Sequence, residues 1–107
     1  MDRYDVVVLG GGIGGYSCAI RASQLGKKVV LVEEREMGGT CLNRGCIPTK
    51  ALLRSAVMYD LLTGSEEFGI NAGKTSFDLG KMMQRKAVVV SKLRGGVEFL
   101  LKKNDVK

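Results

Sequence analysis

Two of the three cysteines in the chain, Cys41 and Cys46, stand five positions apart in the segment GGTCLNRGCIPTK, Gly38 to Lys50. A close pair of this kind suits thiol redox chemistry. In a regular helix five positions amount to about 500° of rotation, which leaves the two side chains about 140° apart. A disulfide needs its Cα atoms within about 7 Å. The pair can therefore close only where the segment bends or unwinds, and Asn43 and Gly45 are residues that permit it. Thr40 is a candidate N-cap, which would set Cys41 near a helix N-terminus, where the dipole favours a thiolate. Lys50 follows Cys46 by four residues, so both share a helix face, with Leu53 near it. One face then carries a sulfur and a cation; the alternative for Lys50 is a solvated surface charge. A metal site needs about four ligands. The chain has no histidine, and only Cys18 remains as a third sulfur, so metal binding is not expected. Cys18, beside Ala19, reads as a small helix-packing residue.

A second group of residues carries different chemistry. Gly10, Gly12 and Gly15 form G-x-G-x-x-G, with Ile13 and Gly14 inside it. Such a spacing is weak alone, but here it follows a predicted strand and opens a predicted helix, and Glu33 ends the next strand. That context is the dinucleotide-binding fingerprint. Gly10 suits the tight turn. Gly12 lets the backbone approach a pyrophosphate held on unpaired N–H groups at the positive end of the helix. Gly15 and Ala19 allow close helix–strand packing. Glu33 can accept from ribose hydroxyls and would repel a 2′-phosphate, which argues against NADP. The loop does not separate FAD from NAD, because both present an ADP half. The cysteine pair must decide that choice; beside it, the Lys50 cation would stabilise an anionic reduced flavin as well as a thiolate.

The elements that must position these residues are legible from periodicity. Tyr4 to Leu9 and Lys28 to Glu33 read as strands of the doubly buried, parallel type. Between them Ile13 to Leu25 reads as a helix closed by Gly26. This is one βαβ unit of about 30 residues. Cys46 to about Leu62 reads as a second helix, with Pro48 tolerated in its first turn. Thr63 to Ser76 reads as a loop. Asp78 can cap a long third helix reaching about Asn104. Gly95 and Gly96 interrupt that helix, as a kink or as a site of close approach by a backbone or ligand. The expected fold is α/β, a partial Rossmann-type domain with an incomplete parallel sheet. Two strands rarely make a stable sheet alone, and strands apolar on both faces expect helices on each side and further neighbouring strands.

Composition narrows the classes of function. A chain of 107 residues that is 45% hydrophobic and 26% charged suits one globular domain. Its apolar runs are too short to span a membrane, and no charged-then-apolar leader opens it. Three cysteines are too few for a disulfide scaffold. A cytoplasmic location is expected. Residues 81–107 hold eight basic and two acidic side chains, the whole of the net +6. No aromatic residues interleave these charges as single-strand binding requires, so neither nucleic acid nor membrane is expected as a partner.

Taken together, VVVLGGGIGGY, VVLVEE and GGTCLNRGCIPTKALL resemble the flavoprotein disulfide reductases. Within that family, CLNRGCIPTKALL and the closing GGVEFLLKKNDV are most similar to members that oxidise dihydrolipoamide. The resemblance implies FAD as the bound cofactor and NAD as the final acceptor. It makes Cys41 the thiol that exchanges with substrate and Cys46 the thiol beside the flavin, with Lys50 near the reactive nitrogen of the flavin. Gly10, Gly12, Ile13, Gly14 and Gly15 become the FAD pyrophosphate loop, with Glu33 and Glu34 at the ribose and Gly39 and Thr40 as further contacts. It also implies a homodimeric parent, bound to a 2-oxoacid dehydrogenase or glycine cleavage complex. Members of the family are far longer, carry a second glycine fingerprint for NAD, and use a histidine base that this chain lacks. Residues 1–107 are therefore expected to be the N-terminal part of an FAD-binding domain, without the NAD and interface domains and not catalytic in isolation. The alternatives are part of a mercuric or glutathione-type reductase, or a non-catalytic FAD- or ADP-binding module.

Overall fold

A parallel pair of strands forms the base of the molecule in the computed structural model, which describes residues 1–107. Strands β1 (Val6–Leu9) and β2 (Val29–Val32) pair in register, Val6 opposite Val29 and Leu9 opposite Val32. Both are shorter than the apolar pattern suggests, because the strand ladder covers only these four positions on each side. Helix α1 (Ile13–Gln24) makes the crossover. It stops where Gly26, at φ +80, takes the left-handed turn that a residue with a Cβ disfavours.

A short helix α2 (Gly39–Arg44) and a long α3 (Cys46–Thr63) follow, broken apart at Gly45. The 63–76 segment is a loop except for one 3-10 turn at Ser65–Phe68. Helix α4 (Leu79–Lys103) starts where the Asp78 carboxylate accepts from the Lys81 N–H at 3.0 Å. It runs antiparallel to α3, so that Arg85 donates to the Ala51 carbonyl and Tyr59 meets Phe77 edge-on. Gly95 and Gly96 do not end it. The helix is continuous, and a Cβ at either position would meet nothing within 4 Å.

One core holds the base together. Ala19 of α1, Val29 and Leu31 of β2, Leu42 of α2, and Val90, Val97 and Leu101 of α4 are buried as a single cluster. Side chains alternate across a strand, so this cluster covers only one face of the sheet. On the other face Val7, Leu9 and Val32 are 59%, 81% and 52% exposed. An uncovered apolar face agrees with the expected incomplete sheet: α1 packs on the strands, while α3 packs on α2 and α4 instead. The outer edge of β2 is partly occupied: the Lys107 N–H donates to the Val29 carbonyl and its carbonyl accepts from the Leu31 N–H. That is how a further parallel strand would begin. Cys18 also departs from expectation. It is exposed on α1, while its neighbour Ala19 is fully buried in the core.

Candidate functional site

The glycine loop and the cysteine segment meet at the C-terminal end of the two strands. A Cβ on Gly15 would stand 1.7 Å from the Gly10 carbonyl oxygen, so the first turn of α1 rests directly on the loop backbone. Gly10 takes φ +99 and returns its N–H to the Val32 carbonyl at 2.8 Å. Helix α1 has no side-chain cap. The N–H groups of Gly12, Ile13, Gly14 and Gly15 have no acceptor in the chain. A Cβ on Gly14 would meet nothing within 4 Å, and one on Gly12 would touch only the Gly39 Cα, at 3.9 Å. Four donors free of intrachain acceptors at the positive end of a helix can hold an anion such as a pyrophosphate.

Glu33 is fixed beside these donors. Its Oε2 accepts from the Gly11 N–H at 2.7 Å and its Oε1 from the Arg35 N–H at 2.9 Å. The Gly11 N–H, followed by that of Arg35, holds the carboxyl below its ordinary value, so it is an anion at neutral pH. Each oxygen keeps a free lone pair for a further donor. Glu34 is exposed and reaches only Arg35, at 3.9 Å.

The cysteine segment crosses over the loop. The Gly38 N–H donates to the Gly11 carbonyl at 2.8 Å. Gly39, at φ +73, passes so close to Gly12 that a Cβ there would lie 2.7 Å from the Gly12 Cα. Gly38, not Thr40, precedes α2; Thr40 is exposed in its first turn and caps nothing, because the turn is made by two consecutive left-handed glycines. Cys41 and Cys46 form a disulfide with Cα atoms 4.7 Å apart. The closure comes from the helix break. Gly45, at φ −124 and ψ −103, stops α2, and α3 sets off in a new direction from Cys46.

The two sulfurs have different surroundings. Cys41 is half-buried and lines an apolar cavity of about 250 Å3 together with Ile13, Tyr16, Ile47, Leu93 and Val97. Cys46 and Lys50 are exposed on one face of α3, with Leu53 beside them. The Gly38–Gly11 bond, the Gly39–Gly12 contact and the cavity shared by Ile13 and Cys41 join the glycine loop to the cysteine segment.

Other residues shape this region and escape sequence reasoning. Gly11 is buried, its N–H and carbonyl both engaged, and a Cβ there would meet Met37 and Glu33. Asn43 does more than permit a bend: its Nδ2 donates to the Met37 and Gly39 carbonyls at 3.0 and 2.9 Å, and its Oδ1 accepts from Arg94 Nε at 2.8 Å. Arg44 pairs with Glu36. The carboxyl of Glu36 is held below its ordinary value by its own backbone N–H and then by that guanidinium. The runs GGG at 10–12 and GG at 38–39 are the only local signals for these contacts; the Arg94 partnership has none.

Residues 4–107 match the family described as "Pyridine nucleotide-disulphide oxidoreductase". Among curated proteins, the chain is 52% identical over 104 residues to "Dihydrolipoyl dehydrogenase" of Bacillus subtilis, which covers 97% of this chain and 22% of the relative. It is 52% identical over 106 residues to the protein of the same name from Zymomonas mobilis, covering 99% of this chain and 23% of the relative. It is 51% identical over 108 residues to "Dihydrolipoyl dehydrogenase, mitochondrial" of Dictyostelium discoideum, with 99% and 22% covered. The chain thus spans less than a quarter of the length of each of these three relatives.

Proposed function

This chain belongs to the pyridine nucleotide-disulphide oxidoreductase family, and on that premise we propose that it is the FAD-binding and redox-disulfide part of a dihydrolipoyl dehydrogenase. The observation that carries this is the crossing of Gly39 over Gly12. It places a closed Cys41–Cys46 pair next to four unpaired helix N–H groups and an ionised Glu33.

The residues fit FAD. The open N–H groups of Gly12 to Gly15 suit its pyrophosphate, and Glu33 suits the adenosine ribose, with Glu34, Gly39 and Thr40 along the same edge. The exposed face of Cys46, Lys50 and Leu53 suits the ring system. When bound, FAD supplies a two-electron acceptor that passes the pair on to NAD, held by a separate domain of the parent protein.

The substrate is dihydrolipoamide. One of its thiolates attacks Cys41 Sγ, the Cys41–Cys46 bond breaks, and Cys46 leaves as a thiolate. The second substrate thiolate then attacks its own sulfur in the mixed disulfide. Lipoamide departs and the chain is left as the dithiol. The apolar cavity beside Cys41 matches the aliphatic body of such a substrate. Lys50, four residues from Cys46, stabilises the thiolate that forms there. The parent is a homodimer serving a 2-oxoacid dehydrogenase or glycine cleavage complex.

Turnover of the protein that carries these residues tests the proposal. NADH formation from dihydrolipoamide and NAD is expected. Reduction of glutathione disulfide or mercuric ion without activity on dihydrolipoamide would assign the chain to another branch of the family.

A further inference from the structure

Arg94 occupies an unusual place. It lies four residues after Val90 and three before Val97, both buried, so it stands on the core-facing stripe of α4. A cation on that stripe needs a partner. Its Nε donates to Asn43 Oδ1 at 2.8 Å across 51 positions of sequence. Asn43 lies between the two cysteines, and its amide donates to the Met37 and Gly39 carbonyls. The orientation of that amide is unambiguous, because two carbonyls can only accept and a guanidinium can only donate. The neighbouring Arg44 is tied to Glu36, and Leu42 is in the core. The loop between the sulfurs is therefore anchored at three consecutive residues by contacts independent of the S–S bond.

We propose that Arg94 is a positioning residue for the redox pair: through Asn43 it holds the 41–46 loop in its closed shape after the disulfide has been reduced. Reduction breaks the Cys41–Cys46 bond, each sulfur takes up one electron and one proton, and a dithiol reductant is oxidised to its cyclic disulfide. A loop kept in shape leaves the two thiols close together. Little chain entropy is then lost on re-forming the bond, and the equilibrium is drawn toward the disulfide. Loss of the Arg94 contact frees the dithiol form selectively.

The inference rests on the redox role given above, but its test does not need flavin, so the two fail separately. The full chain is equilibrated with oxidised and reduced dithiothreitol, and the dithiol fraction is read by alkylation and mass. Arg94→Ala is expected to shift the equilibrium about tenfold toward the dithiol, the order of one charge-assisted hydrogen bond. That is about 30 mV for a two-electron couple. Asn43→Ala shifts it at least as far, and adding Arg94→Ala to it changes little, because the two act as one unit. Arg94→Lys restores part of the effect. Lys92→Ala, an exposed cation two residues away, leaves the equilibrium in place. A shift under twofold for Arg94→Ala, additive shifts for the pair, or an equal shift for Lys92→Ala overturns the proposal. If Arg94→Ala does not fold, Arg94→Gln and Arg94→Lys are read in its place. Wild-type equilibria in both, with Asn43→Ala also unchanged, overturn it as well.

Discussion

The base of the molecule and the outer half of its α3–α4 hairpin are built in opposite ways. In the base, backbone meets backbone: Gly15 on Gly10, Gly39 on Gly12, Gly38 bonded to Gly11. In the outer hairpin, Met58, Leu61, Leu62, Phe77, Leu79 and Met83 are all exposed, and Ala51 is the only buried residue of α3. The hairpin accounts for much of an elongated 67 × 24 × 17 Å shape and a 19.8 Å radius of gyration, against about 13 Å for a compact chain of this length. The Gly15–Gly10 and Gly39–Gly12 contacts at the candidate site leave no room for an added atom, while the apolar side chains of the outer hairpin are mostly exposed.

The largest break in this contrast is Gly15→Ala. Its new methyl would collide with the Gly10 carbonyl, so α1 must lift from the loop. A loss above about 3 kcal/mol, enough to unfold a marginal domain, is expected in denaturant melts. Gly39→Ala comes next. It combines a left-handed φ with a Cβ 2.7 Å from Gly12, and about 1–3 kcal/mol should be lost, with flavin retention falling alongside stability.

Glu33→Gln probes charge with little change of shape. FAD affinity should fall about tenfold by equilibrium dialysis, the order of a hydrogen bond to a charged group. Its pH dependence has a definite sign. The folded carboxyl sits below its ordinary value, so its contribution is full above about pH 4.3 and is lost as pH falls through the lowered folded value. Thermal midpoints of wild type and Glu33→Gln should therefore differ at pH 7 and converge in acid. A gap that widens in acid would reverse the assignment. The smallest effect belongs to the hairpin. Leu61→Ala, at an exposed position, should change stability by no more than about 0.5 kcal/mol.

The same contrast explains what the sequence could convey. The βαβ unit, the Gly26 stop, the Asp78 cap and the Gly45 break are local events, written in runs and spacings a few residues long. The fingerprint spacing brings Glu33 to the glycine loop, but its bond to the Gly11 N–H is not written in that spacing, and Arg94 to Asn43 spans 51 positions with no spacing rule to link them. Thr40 looked like a cap because its side chain can serve as one, but two left-handed glycines ahead of it make the turn. Cys18 reads as internal because small residues pack helices, but its neighbour Ala19 takes the buried position. The apolar pattern of β1 and β2 described strands covered on both faces, and the helices of this chain cover one.

The proposed function requires the glycine loop and the redox disulfide to form one flavin site. The most direct test is the visible absorption spectrum of the purified chain with FAD, taken after removal of free FAD and again after mild reduction by dithiothreitol. Retained flavin bands and a new long-wavelength band on reduction are expected, as the Cys46 thiolate comes to lie against the flavin. Retained flavin with no new band would contradict the joining of the two parts. A colourless chain with a measurable Cys41–Cys46 couple would contradict the flavin site itself.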